Sequence, residues 1–121
     1  MSQHQFVHVE ISCQDRQAAA EFYSNVFGWQ FTDYPEMNYS STTNEDVTTG
    51  LNPVNEQTPA GTVTVYIGTP DYKASSDAIV SNGGELLGDP VQVPGVGTLQ
   101  FFKDPTGNVL SLLQSAENPG M

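Results

Sequence analysis

The sequence predicts an α+β fold of two βαβββ modules, and three observations carry that prediction. First, the chain repeats itself without a gap: His8 to Asp15 lies over Thr64 to Asp71, and the register runs on from Ala18 over Ala74 to Gly28 over Gly84, at a constant offset of 56. Identical letters are few, so the match rests on physical roles. Second, each copy opens with period-two alternation, the mark of a half-buried strand. Third, an aspartate and a glycine frame one helical segment in each copy at the same separation.

In the first copy Val7, Val9 and Ile11 point one way and Phe6, His8, Glu10 and Ser12 the other. The second repeats this with Val63, Val65 and Ile67 against Thr62, Thr64, Tyr66 and Gly68. Asp15 and Asp71 then stand at helix N-caps, where a carboxylate accepts orphan backbone N–H groups at the positive end of the dipole. Ala19, Phe22, Tyr23, Val26 and Phe27 recur at helical spacing, one apolar face expected to cover the valine side of the strand. The second helix is weaker, with Ala74, Ala78 and Ile79. Gly28 and Gly83-Gly84 supply the left-handed residue that ends a helix.

Three strands are expected after each helix: Trp29–Thr32, Met37–Thr42 and Val47–Leu51, then Glu85–Leu87, Leu99–Lys103 and Asn108–Gln114. Asp104-Pro105-Thr106-Gly107-Asn108 is the clearest turn between strands. The repeats cover residues 5–51 and 62–114 of one domain, with a polar, proline-containing linker at 52–61 and a tail at 115–121.

Charge narrows the function classes. Fourteen acidic residues against three basic ones give a formal charge of −11. Nucleic acid and anionic membrane are therefore excluded as expected partners, since both need clustered lysine and arginine. With one cysteine, Cys13, no internal disulfide is possible, and no spacing matches a zinc site. The opening MSQHQFVHVEIS has no basic n-region or long apolar run, so a cytoplasmic location is expected. No Ser/His/Asp or Cys/His set and no phosphate-cradling loop is visible; Cys13 falls on the helix-facing side of its strand, as a buried thiol would.

The opening VHVEIS, then EFYSNVFGW, and later PGVG with FFKDPTGNVLSLLQ, resemble the vicinal oxygen chelate superfamily of glyoxalases, bleomycin-resistance proteins and extradiol dioxygenases. The resemblance spans about Phe6 to Gln114 and implies two modules whose mixed sheets curl around a cleft. In metal-dependent relatives that cleft holds a divalent ion on four corners, usually His and Glu or Gln. Carried onto this chain, the corners fall on His8, Thr49, Thr64 and Ser111. Three of them are neutral hydroxyls, poor ligands for a transition ion, which leaves His8 as the surviving candidate ligand.

No resident cofactor is therefore expected, with a weakly held divalent metal as the exception. Glu10 shares the face of His8, about 6.6 Å along the strand. His8 and Glu10 are the candidate catalytic pair: the imidazole could be a ligand, a general base or a hydrogen-bond donor, and equally a satisfied interior residue. His8, Glu10, Thr49, Thr64, Tyr66 and Ser111 form the candidate ligand-binding set, with Trp29, Tyr34 and Tyr39 as an aromatic wall for a planar or cationic guest. The expected function is binding of a small cationic or neutral organic molecule, of the bleomycin-resistance type. Two alternatives stay open: a metal-dependent lyase, isomerase or dioxygenase of the same superfamily, and a homodimeric accessory protein with no ligand.

Overall fold

The computed structural model describes residues 4–42, 47–56 and 58–116 of the chain. In order the elements are β1 (Phe6–Cys13), α1 (Arg16–Phe27), β2 (Phe31–Tyr34), β3 (Tyr39–Thr42), β4 (Thr48–Pro53), β5 (Val63–Gly68), α2 (Tyr72–Ser81), β6 (Glu85–Val93), β7 (Gly97–Lys103) and β8 (Val109–Ser115). This is strand, helix, three strands, twice over. The described residues fall into two compact units, one within 8–64 and the other within 4–7 together with 65–116.

In the first unit the strand order is β2-β3-β4-β1, with β1 and β4 parallel and the other pairs antiparallel. The second unit repeats the plan as β5-β8-β7-β6, its first and last strands again parallel. A helix after the first strand makes that parallel return possible.

Both helices begin and end as the sequence predicts. Asp15 accepts from the Ala18 N–H, and Asp71 from those of Lys73 and Ala74. Gly28 closes α1 in the left-handed conformation at φ 74°, its N–H bonded to Ser24 O. After α2 the Gly84 N–H reaches Ile79 O and the Gly83 N–H reaches Val80 O, a Schellman pair that needs the positive φ of Gly83.

Strand limits differ where turn chemistry intervenes. Pro35–Met37 forms a short 3-10 turn, and Asn38 takes a left-handed φ of 51°, so β3 starts at Tyr39 rather than Met37. Conversely, β6 does not stop at Leu87. Leu87 opposes Phe101 and Val91 opposes Leu99, so an irregularity at Gly88-Asp89-Pro90 absorbs the breakers and pairing resumes. Val93-Pro94-Gly95-Val96 is a tight turn with Pro second and Gly95 at φ 77°, closed by the Val96 N–H on Val93 O. Beyond β8 the Ala116 N–H bonds to Val96 O; the rest of the expected tail, 117–121, lies outside the described residues.

The face that α1 buries corrects the sequence reading. Phe22, Val26 and Phe27 are more than half exposed, at 56, 55 and 59 %. Arg16, Ala19, Ala20, Tyr23 and Ser24 are the more covered residues. The reason is Arg16, whose guanidinium donates to Asp33 and Ser40 on the sheet and to the Tyr39 carbonyl, so the helix is turned by polar bonds. Trp29 then stacks on Tyr23 at 5.2 Å and meets Phe31 edge-on, joining the aromatic residues of α1.

Cores are small and rich in hydroxyls. Leu51, Cys13, Ser40, Thr42 and Thr49 are buried in the first unit, and Leu112, Phe102, Gln100 and Ser111 in the second. Several of these polar groups stay inside with a partner: the Thr49 N–H donates to Thr42 Oγ1, and Gln100 donates to the Gly88 and Phe101 carbonyls.

Candidate functional site

The parallel pairing of β1 with β4 sets the candidate site. His8 stands beside Thr48 and Glu10 beside Gly50, while β3 places Ser41 across from Gly50, so Tyr39, two residues before Ser41, lies on the same face. The opposite face, with Val9, Thr49, Leu51, Ser40 and Thr42, is the one α1 covers.

On the first face three side chains converge. His8 Nε2 lies 2.5 Å from Glu10 Oε2, and the Tyr39 hydroxyl donates to that same oxygen at 2.5 Å. Tyr39 Oη is 3.2 Å from His8 Nε2, and His8 Nδ1 is 2.5 Å from Thr48 Oγ1. Gly50 is the floor: a Cβ there would overlap both the Tyr39 hydroxyl and the Glu10 carboxylate. Thus the missing side chain lets carboxylate and phenol meet. His8 and Glu10 side chains are 16 and 15 % exposed, so the trio is covered yet reachable by solvent.

The sequence-predicted residues are distributed unevenly around this centre. His8 and Glu10 come together as expected. Thr49 does not join them: it sits on the helix side of β4, and its neighbour Thr48 stands next to His8 instead. Thr64 is buried at the start of β5. Tyr66 and Ser111 belong to the second unit, where they are register partners across β5 and β8 and are both buried. Ser111 donates to the Leu112 carbonyl, and Tyr66 meets Phe101 edge-on at 6.1 Å.

The aromatic wall divides. Trp29 belongs to the α1 cluster, whereas Tyr34 and Tyr39 are paired on the His8 face with ring centroids 6.4 Å apart. Sequence reasoning missed Thr48 and Gly50 and saw Tyr39 only as a ring, not as the hydroxyl that holds Glu10. Register across β4 was the signal needed.

Among the described residues no group of three or more His, Cys, Asp or Glu side chains is arranged to hold a metal ion. Cys13 is buried at the end of β1, and burial, helped by the negative charge of Glu10, pushes its thiol pKa up, away from thiolate chemistry. Two open depressions of about 300 and 290 Å³ in the second unit contain none of the trio. No described helix is long and apolar enough to cross a membrane.

This fold fits one family. The chain belongs to the Glyoxalase/Bleomycin resistance protein/Dioxygenase superfamily, whose family description matches residues 5–112. It is 32 % identical over 109 residues to a glyoxylase-like domain-containing protein of Didymella fabae, covering 83 % of this chain and 85 % of that one. CFP32 of Mycobacterium tuberculosis, which carries the name of a glyoxylase, is 29 % identical across 93 % of this chain, and DnrV, an anthracycline biosynthesis protein of Streptomyces peucetius, 27 % identical across 81 %. The chain spans under half the length of these two, 46 and 42 %.

Among solved structures, a hypothetical protein from Bacillus halodurans superposes with a TM-score of 0.73 at 14 % identity, covering 94 % of this chain and 96 % of that one. Methylmalonyl-CoA epimerase of Streptomyces coelicolor superposes at 0.67 with 23 % identity, covering 95 and 99 %. These likenesses show the fold.

Proposed function

We propose that this chain binds a small organic molecule on the His8–Glu10–Tyr39 face, in the manner of the bleomycin-resistance branch of its superfamily and with no tightly held catalytic metal. The observation that carries the reading is the trio itself. A tight transition-ion site needs several imidazole, thiolate or carboxylate donors free to point at one centre. Here His8 and Glu10 point at each other and at hydroxyls. Such a centre anchors a guest by hydrogen bonds, and the expected hydroxyl positions Thr49, Thr64 and Ser111 add no strong donor to it.

One relative, named for anthracycline biosynthesis, supports a small organic guest. A coenzyme A thioester, the ligand class of the epimerase neighbours, fits this chain poorly. Its phosphates would meet a net charge of −11, and Arg16, one of only three basic residues, is engaged by Asp33. Of the remaining expectations, the absence of a nucleic-acid or membrane partner rests on the same acidic composition and a homodimer on the small core, while a cytoplasmic location stays a proposal.

The test is a small-molecule screen followed by the NMR resonances of His8 and Tyr39. Binders are expected to shift both, and Glu10→Gln is expected to weaken them about tenfold, the loss of a charge-assisted hydrogen bond. A screen of drug-like cations and neutral polycyclic compounds that moves neither resonance removes the proposal. One observation favours a second reading, an isomerase or lyase moving a proton: His8 and Tyr39 share Glu10 Oε2 within hydrogen-bond reach. Turnover abolished by Glu10→Gln with binding largely kept would select it.

A further inference from the structure

We infer that the guest of the His8 face is an organic ammonium ion, held by the second oxygen of Glu10 and the ring faces of Tyr34 and Tyr39; this rests on the proposal that the face binds a small molecule. Glu10 is fixed through one oxygen only. Oε2 takes the Tyr39 hydroxyl and lies against His8 Nε2, and Oε1 takes no hydrogen bond from any described residue. That free oxygen is not sealed in either, since it is absent from the buried, unpartnered polar atoms and the side chain keeps 15 % of its exposure. A carboxylate pinned by its inner oxygen presents its outer one as an oriented acceptor. What it best accepts is a charged N–H, whose bond is about twice as strong as a neutral one.

The rings supply the rest of a cation site. Tyr34 and Tyr39 are directly paired across β2 and β3, so both side chains stand on the face of Glu10. Their centroids are 6.4 Å apart with planes inclined by 34°, and Tyr34 is 38 % exposed at the edge. Aromatic faces attract an ammonium group within about 6 Å of the centroid. The nearby guanidinium of Arg16 does not compete, because it binds Asp33 and Ser40 on the helix side of the sheet. An anionic guest would face both Glu10 and the overall negative charge.

Three probes of one shape and different charge decide it: benzylammonium, benzyl alcohol and benzoate, titrated calorimetrically near neutral pH with NMR to locate the site. Benzylammonium is expected to bind about tenfold more tightly than benzyl alcohol, with benzoate weakest. Glu10→Gln is expected to erase that preference. Tyr34→Leu, at an exposed edge where folding is not at stake, is expected to lower benzylammonium affinity several-fold and benzyl alcohol affinity distinctly less, narrowing the gap between the two. Equal affinities for amine and alcohol, or a preference for benzoate, overturn the inference while the small-molecule reading stands on the alcohol's effect at Tyr39. Failure of all three to bind at this face removes both.

Discussion

At the residue scale the site turns on Gly50. Its lack of a side chain brings Glu10 and Tyr39 together, and what a methyl group would strike is the far end of each, not backbone. Gly50→Ala is therefore expected to keep the fold, with stability within about 1 kcal/mol of the parent because the strand gains from losing a glycine what the repositioned side chains cost. The hydrogen bond from Tyr39 to Glu10 should break, and ligand affinity should fall with it. Chemical denaturation and a binding titration on the same variant check both halves; unchanged affinity would show that the trio does not form the anchor. His8 and Glu10 were legible as a pair because alternation along one strand fixes which residues share a face. Thr48 was not. Aligning Val47 with Val109 by letter put the fourth position on Thr49, and only the parallel register with β1 shows that Thr48 holds the place beside His8.

At the element scale, the parts read correctly were those whose chemistry is local. Asp15 and Asp71 cap their helices, Gly28 and Gly83 end them, and the turn before β8 is closed by its own aspartate. Asp104 accepts from the backbone N–H groups of Thr106 and Asn108 and from both of their side chains. These bonds, the Asn108 amide foremost, hold its carboxyl well below the ordinary carboxylate range. A depressed carboxyl stabilises the folded state fully above its unfolded pKa, about 3.9, and loses that contribution as pH falls toward the folded value. Denaturation midpoints should accordingly drop below about pH 4, and Asp104→Asn should flatten that part of the profile while lowering stability at neutral pH. A variant with the parent's acid profile would show that the turn contributes nothing. What sequence could not give was the rotation of α1. Its apolar residues read as one face, yet part of that face is exposed where Arg16 reaches Asp33 and Ser40, partners on strands whose positions are not local information. Pro35 and Asn38 likewise displaced the start of β3, because a 3-10 turn and a left-handed asparagine took residues that alternation alone had assigned to the strand.

For the whole molecule, duplication and charge dominate. The 56-residue offset was enough to read two copies of one plan, since a repeat constrains topology more tightly than any single propensity. The charge of −11 on 121 residues opposes compaction through self-repulsion. Screening should relieve it, so the melting temperature is expected to rise between low salt and about 0.3 M sodium chloride, where the Debye length shrinks to several ångströms. A melting temperature indifferent to salt would mean that the negative charges are already locally compensated.

If His8, Glu10 and Tyr39 anchor a guest in place of a chelating set, the metal content of protein purified without chelators tests that most directly. Elemental mass spectrometry is expected to find zinc, nickel, manganese and iron far below one ion per chain, with ligand affinity indifferent to dialysis against a chelator. One firmly bound transition ion per chain, lost in His8→Ala, would contradict it.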